Sequence, residues 1–193
     1  MAYYITQKLI HNDLILEKKS EYYIYILTAF IEKTIVVGSI ILISLFFGLL
    51  VPSVIFLVFF LSLRKRTGGY HANTFLGCYL GTIAIYLGIL AVNTFLTDFL
   101  YWVLAVMIIA VCIVLAIGII NHPNLEMDDN ELTMAKKAAR RMVILQGCFV
   151  LLMLFTGLDT IYINYMATAI ILCATLLLLA KLLKQEVSID NKC

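Results

Sequence analysis

The sequence predicts an all-α, polytopic integral membrane protein with six transmembrane helices and an N-terminal amphipathic helix. Three observations carry this. Hydrophobic residues fill 63% of the 193 positions and charged residues only 13%, well under the roughly 25% charge of soluble domains, and the mean hydropathy is +1.02. The apolar residues form long runs, interrupted at Pro52, at the segment 64–74, at Asp98, at Asn121-His122-Pro123-Asn124 and at Gly157-Leu158-Asp159. Six crossings place all fourteen Lys and Arg residues on one side and leave only Asp98 and Asp159 in the opposite loops, and the positive-inside rule makes the shared side the cytoplasm. The chain reads as a single membrane-embedded domain over 1–193. It divides into an amphipathic segment 1–33, a helical bundle 34–182 and a polar tail 183–193.

In order along the chain, residues 3–31 carry apolar side chains at helical spacing (Ile5, Leu9, Leu14, Ile15) and then the aromatic run Tyr22-Tyr23-Ile24-Tyr25. This pattern suits a helix lying in the headgroup region with tyrosines at the interface. The first twenty residues hold His11, Asp13, Glu17, Lys18 and Lys19 and no apolar core of the kind a signal peptide needs, so a cleavable signal is not expected. Glu32 and Lys33 mark the expected junction with the first crossing. From Thr34 to Leu63 thirty uncharged residues follow, too many for one upright crossing and few for two of about twenty each. A hairpin turning near Val51-Pro52-Ser53 is expected. Its short arms require either local thinning of the membrane or a first helix that begins upstream, with Glu32 and Lys33 reaching to the interface.

Cys78 to Thr97 gives a third crossing, Phe99 to Ile120 a fourth. Asp128 and Glu131 are spaced as a helix cap and its third-position carboxylate, so a new helix is expected there. It carries Lys136, Lys137, Arg140 and Arg141 and enters the membrane over Met142–Thr156. Ile161 to Ala180 makes the sixth. No internal repeat or second domain is visible. The glycine pair at 68–69 has no counterpart in the second half, unlike the paired interruptions of inverted-repeat transporters.

Five cysteines (Cys78, Cys112, Cys148, Cys173, Cys193) form no CxxC pair and no zinc or disulfide spacing. No metal, cofactor or nucleic-acid partner is expected. Cys112, Cys148 and Cys173 lie within apolar runs and read as small buried hydrophobes. Cys78 differs in its neighbours. The stretch from Arg64 to Cys78 puts Arg64, Lys65 and Arg66, the pair Gly68-Gly69, His71 and a thiol into fifteen residues between apolar runs. Ionisable groups at such a place mark a functional site by default, and a cysteine nucleophile with a histidine base is the chemistry these residue types offer.

On an unbroken helix His71 and Cys78 would lie about 10 Å apart along the axis, so the chain must bend between them, and the glycine pair just upstream allows unusual backbone angles. Asn73 or Thr74 can cap a helix starting there, leaving Cys78 in its first turn, in the field of a positive helix terminus. Taken singly, His71 is better explained by a polar residue holding a helix start, and Cys78 by packing. Their joint placement beside a glycine pair favours function. Arg64-Lys65-Arg66 anchors the helix end, and Arg64 is in addition a candidate to grip a substrate carbonyl or carboxylate. Lys136 and Lys137 are orientation signals with a second candidate duty toward an acidic peptide.

Arg64 followed by Gly68-Gly69-Tyr70-His71-Ala72 and then Cys78 resembles the signature of the accessory gene regulator protein B family, membrane cysteine endopeptidases that process a quorum-sensing propeptide. The chain length, the paired apolar arms ahead of the signature, and the Pro123 loop leading into a Lys/Arg-rich helix start are similar to that family as well. The resemblance implies Cys78 as nucleophile, His71 as base, and Arg64 and Gly69 as accessory positions. It implies an amphipathic, cysteine-containing propeptide as substrate, an acyl-enzyme thioester, and ring closure to a thiolactone by the propeptide's own cysteine. Membrane lipid is the expected surround, and a homodimer is left open.

Two other classes compete. A peptide exporter would enclose a path with the same helices, but the apolar runs carry almost no charge apart from Glu32 and Lys33, which argues against ion coupling. A non-catalytic scaffold for an amphipathic peptide would need the basic face but not the thiol.

Overall fold

The last apolar run becomes the hub of the bundle. Helix α7 (Thr160–Leu182) buries 61% of its apolar stretch inside the protein, against 28% and 11% for the two other helices among the described residues that are long and apolar enough to cross a membrane, which span Thr97–Ile117 and Phe75–Asn93. The computed structural model describes residues 2–11, 20–69, 74–119 and 129–183. Among these the chain forms α1 (Ala2–His11), α2 (Ser20–Phe46), α3 (Leu50–Thr67), α4 (Phe75–Leu96), a 3-10 turn (Thr97–Phe99), α5 (Leu100–Ile117), α6 (Asp129–Met153) and α7, with no strand.

α7 is contacted by α3 and α5 most heavily and by α6 and α4 less. Two apolar clusters share it. One joins Leu63 of α3, Met107 and Val114 of α5 and Val143 and Val150 of α6 to Ile163, Ile170 and Leu177. The other gathers Ile40, Phe56, Tyr86 and Leu90 from α2, α3 and α4 around Tyr165 and Ala169. Because lipid is as apolar as these side chains, close packing and interhelical hydrogen bonds must hold the helices together. Ser53 Oγ donates to Leu49 O at 2.7 Å, which leaves the Tyr86 hydroxyl as donor in its 2.6 Å bond to Ser53. Ser39 and Tyr79 join α2 to α4 at 3.0 Å. The Thr168 hydroxyl donates to Asn93 Oδ1 at 3.3 Å, joining α7 to α4.

Several expectations change in detail. α2 runs unbroken from Ser20 through Glu32 and Lys33 to Phe46, so the tyrosine-rich stretch and the first apolar arm are one helix and the expected junction at Glu32 is absent. The first arm thus extends upstream of Thr34. The hairpin turns at Phe47-Gly48-Leu49, with Gly48 at φ 69°, rather than at Pro52. Proline lacks only an N–H that a first helical turn cannot pair in any case, so Pro52 sits buried in the opening turn of α3. Cys112 and Cys148 are exposed on the outside of α5 and α6, and among the described cysteines only Cys173 is buried. A helix apolar all round gives no signal of which face turns inward. The expected cap at Asp128 lies outside the described residues.

Asn164, fully buried near the start of α7, has no hydrogen-bond partner among the described residues for either amide atom. An unpaired buried polar group costs about 1–3 kcal/mol. Asn164→Leu, which keeps the volume and removes both polar atoms, is expected to raise stability by about that amount, measured as the unfolding midpoint in bicelles. A lower midpoint would show that the amide has a partner the bundle depends on.

Candidate functional site

The break between α3 and α4 is built by the glycine pair and a threonine. Gly68, at φ 65°, caps α3 by donating its N–H to Arg64 O at 3.1 Å, a left-handed backbone that glycine adopts without strain. Thr67, fully buried, turns its hydroxyl back to Leu63 O at 3.2 Å. Gly69 is buried at φ 125°. A Cβ placed there would fall 1.8 Å from Arg64 Nη1 and 3.3 Å from the backbone carbonyl carbon of Leu176 on α7. Gly69 is therefore a point of close approach as well as a bend.

α4 restarts at Thr74, whose extended backbone and side chain cap the helix by accepting from Gly77 N at 3.2 Å. The Cys78 N–H donates to Thr74 O at 3.0 Å. Cys78 thus closes the first turn of α4, half-buried, where the partial positive charge of a helix N-terminus is felt. Its own carbonyl accepts from Thr82 Oγ1 at 2.8 Å, which fixes the backbone at the thiol. His71, with Tyr70, Ala72 and Asn73, lies outside the described residues.

The cations divide. Lys65 and Arg66 are exposed, whereas Arg64 is half-buried and turns its guanidinium back to donate to Gly68 O. It lies within electrostatic range of the sulfurs of both Cys78 and Cys173. The structure therefore brings Arg64, Gly68 and Gly69 together at the end of α3, and Cys78 stands in the opening turn of the next helix. Lys136 and Arg140 of α6 serve another junction. Arg140 Nε donates to Leu115 O at 2.9 Å, and the Lys136 stem packs 3.1 Å from where a Gly118 Cβ would stand, so both close the C-terminus of α5. Lys137 and Arg141 are exposed.

The family model for accessory gene regulator B matches residues 2–181, which takes in the whole α3–α4 break and every helix but the last residue of α7. The chain belongs to the AgrB family. No curated protein and no solved structure matched it. AgrB proteins are linked to peptide processing in quorum sensing, and three helices able to cross a membrane accord with that setting.

Two polar contacts near this AgrB break were not anticipated from the sequence. Gln146 of α6 donates from Nε2 to Phe59 O at 2.9 Å and to Ser62 Oγ at 2.8 Å, clasping α6 to α3. A lone glutamine in an apolar run was the available signal, since polar residues at membrane depth find interhelical partners. Cys173 Sγ approaches Phe60 O at 3.5 Å, one turn before Arg64. Nothing in its spacing distinguishes it from Cys112 or Cys148.

Proposed function

We propose that this AgrB-family chain is a cysteine endopeptidase of the cell membrane that cleaves a small, amphipathic, cysteine-containing propeptide and enables its closure to a thiolactone signal. The observation that carries the reading is Cys78: a half-buried thiol in the first turn of a helix, at a break in the bundle. The Cys78 sulfur attacks a peptide carbonyl while His71 takes the thiol proton. The C–N bond then breaks and the imidazolium returns the proton to the leaving amine, leaving a thioester at Cys78. The Arg64 guanidinium suits the carbonyl oxygen as negative charge builds there. The propeptide's own cysteine displaces Cys78 and closes the ring. One thioester replaces another at nearly equal energy, so removal of the C-terminal fragment drives the sequence forward. Exposed Lys137 and Arg141 suit an acidic portion of the propeptide.

The same reading takes the bundle as six crossings, with α2, α3 and α6 added to the three most apolar helices. α2, at 27 residues, is about 40 Å long, enough to cross with Glu32 and Lys33 reaching to an interface. α3 ends in Arg64, Lys65 and Arg66, and α6 begins with its cations, so both termini and the Cys78 break face the cytoplasm. An impermeant maleimide applied outside is expected to label Asp98→Cys and Asp159→Cys and to spare Lys19→Cys. Labelling at position 19 under those conditions overturns the topology.

The test of the chemistry is mass spectrometry of products formed by the purified protein in bilayers. The expected product is lighter by one water than the linear N-terminal fragment, because a tethered thiol outruns hydrolysis. With alanine in place of the propeptide's cysteine, a hydroxylamine-labile adduct should accumulate at Cys78. Linear acid alone from the intact propeptide, with no adduct in the alanine case, would leave an ordinary hydrolytic peptidase.

A further inference from the structure

Tyr79, Tyr86 and Asn93, spaced by seven along α4, each bond a different helix. Tyr79 shares a hydrogen bond of 3.0 Å with Ser39 of α2, Tyr86 one of 2.6 Å with Ser53 of α3, and Asn93 one of 3.3 Å with Thr168 of α7. A straight helix drifts only about 20° over seven residues, so the three lie nearly along one face. The bond at Tyr79 is nearest the candidate site, because Tyr79 follows Cys78 directly. Apolar packing holds little at this end. α4 is the least buried of the three most apolar helices, residues 74–77, Leu80 and Gly81 are exposed, and a Cβ on Gly81 would meet nothing within 4 Å. Among the described residues of α4, Ile83 is the first to pack against an apolar cluster.

We propose that Tyr79 is a positioning residue for Cys78, its bond to Ser39 fixing the rotation of the opening turn of α4 and so the direction in which the thiol faces. Successive side chains on a helix stand about 100° apart. With the Tyr79 hydroxyl held on α2, the half-buried Cys78 has one direction round the axis. A roll of about 20° carries a sulfur roughly 4–5 Å from the helix axis through about 1.5 Å, and a misplacement of about an ångström costs about 100-fold in rate. Cleavage therefore reads the anchored fraction alone. The Tyr79 hydroxyl is engaged by Ser39, so it acts through Cys78 and not on the reacting atoms. The effect on cleavage rests on the peptidase reading; the facing of the thiol does not.

Alkylation by N-ethylmaleimide in nanodiscs, without propeptide, is read by mass spectrometry of the Cys78 and Cys173 peptides. The two report the opening turn and the bundle separately, because Cys173 is fully buried. Tyr79→Phe removes only the hydroxyl and keeps the ring 6.0 Å from that of Phe75; Ser39→Ala removes the partner. Each is expected to raise the Cys78 rate about three- to tenfold, the worth of one hydrogen bond, with no further rise in the double variant and no reaction at Cys173. With propeptide, both should lower kcat about threefold or more and leave KM unchanged, whereas Ser39→Thr, which keeps a hydroxyl, holds the wild-type values. A wild-type Cys78 rate in either single variant overturns the proposal, as does a wild-type kcat, a rise at Cys173 that accompanies the rise at Cys78, or effects that multiply in the double variant. Should Tyr79→Phe fail to accumulate in the membrane, Ser39→Ala is read against the same outcomes. If the wild-type protein cleaves no propeptide, the peptidase reading falls and the two alkylation rates still decide the placement of the thiol.

Discussion

Cys78→Ser is expected to abolish propeptide cleavage, by at least about 10³-fold, while propeptide binding is retained. A hydroxyl at this position keeps the size and backbone of the thiol. The N–H bond to Thr74 O at 3.0 Å and the bond from Thr82 to the residue's carbonyl at 2.8 Å do not involve the sulfur, so the first turn of α4 is unchanged. What is lost is sulfur as the attacking atom; a serine hydroxyl needs a stronger base than an imidazole placed for a thiol to attack a peptide carbonyl. Cys112→Ser and Cys148→Ser serve as controls, since both thiols are exposed on the outside of the bundle. The measurement is product formation with bound propeptide quantified in parallel. Activity that survives at Cys78→Ser and disappears at either control would reassign the nucleophile.

Local signals were legible in the sequence and tertiary ones were not. The restart of α4 was readable because a cap is a short-range device: Thr74 accepts from an N–H three residues on, and that spacing is written in the chain. The glycine pair was likewise readable as a bend, and Gly68 and Gly69 both take positive φ. The sequence points to Pro52 for the turn between α2 and α3, which the structure places at Gly48, because proline signals a helix start as strongly as a break. Glu32 and Lys33 suggest a boundary because charges interrupt an apolar run, whereas long side chains can bridge to an interface without ending a helix. Cys173 was grouped with Cys112 and Cys148 because all three sit in uniform apolar runs, where neither period nor composition marks the inner face. Its partnership with Phe60 spans 113 residues and no local pattern encodes it. The placement of His71 relative to Cys78 falls outside the described residues, so that pair rests on the sequence.

Gly69→Val is expected to lower cleavage by about 100-fold, the cost of moving an active-site group by around an ångström, without lowering membrane abundance. Two causes act together. At φ 125° a β-branched residue is strained, at about 1–3 kcal/mol. The new Cβ also falls 1.8 Å from Arg64 Nη1, so the guanidinium must leave its bond to the Gly68 carbonyl. The backbone carbon of Leu176, 3.3 Å away, belongs to the most buried helix and gives little. Gly69→Ala separates the causes, since alanine carries the same Cβ with less backbone strain and still displaces the arginine. If displacement of Arg64 is the route, Gly69→Ala combined with Arg64→Ala should cleave no more slowly than Arg64→Ala alone, because the second change has nothing left to move. Losses that multiply in the double variant would mean that Gly69 acts through the course of the chain toward His71 and not through the guanidinium. Wild-type cleavage by Gly69→Val would show that the close approach at this position has no part in the reaction.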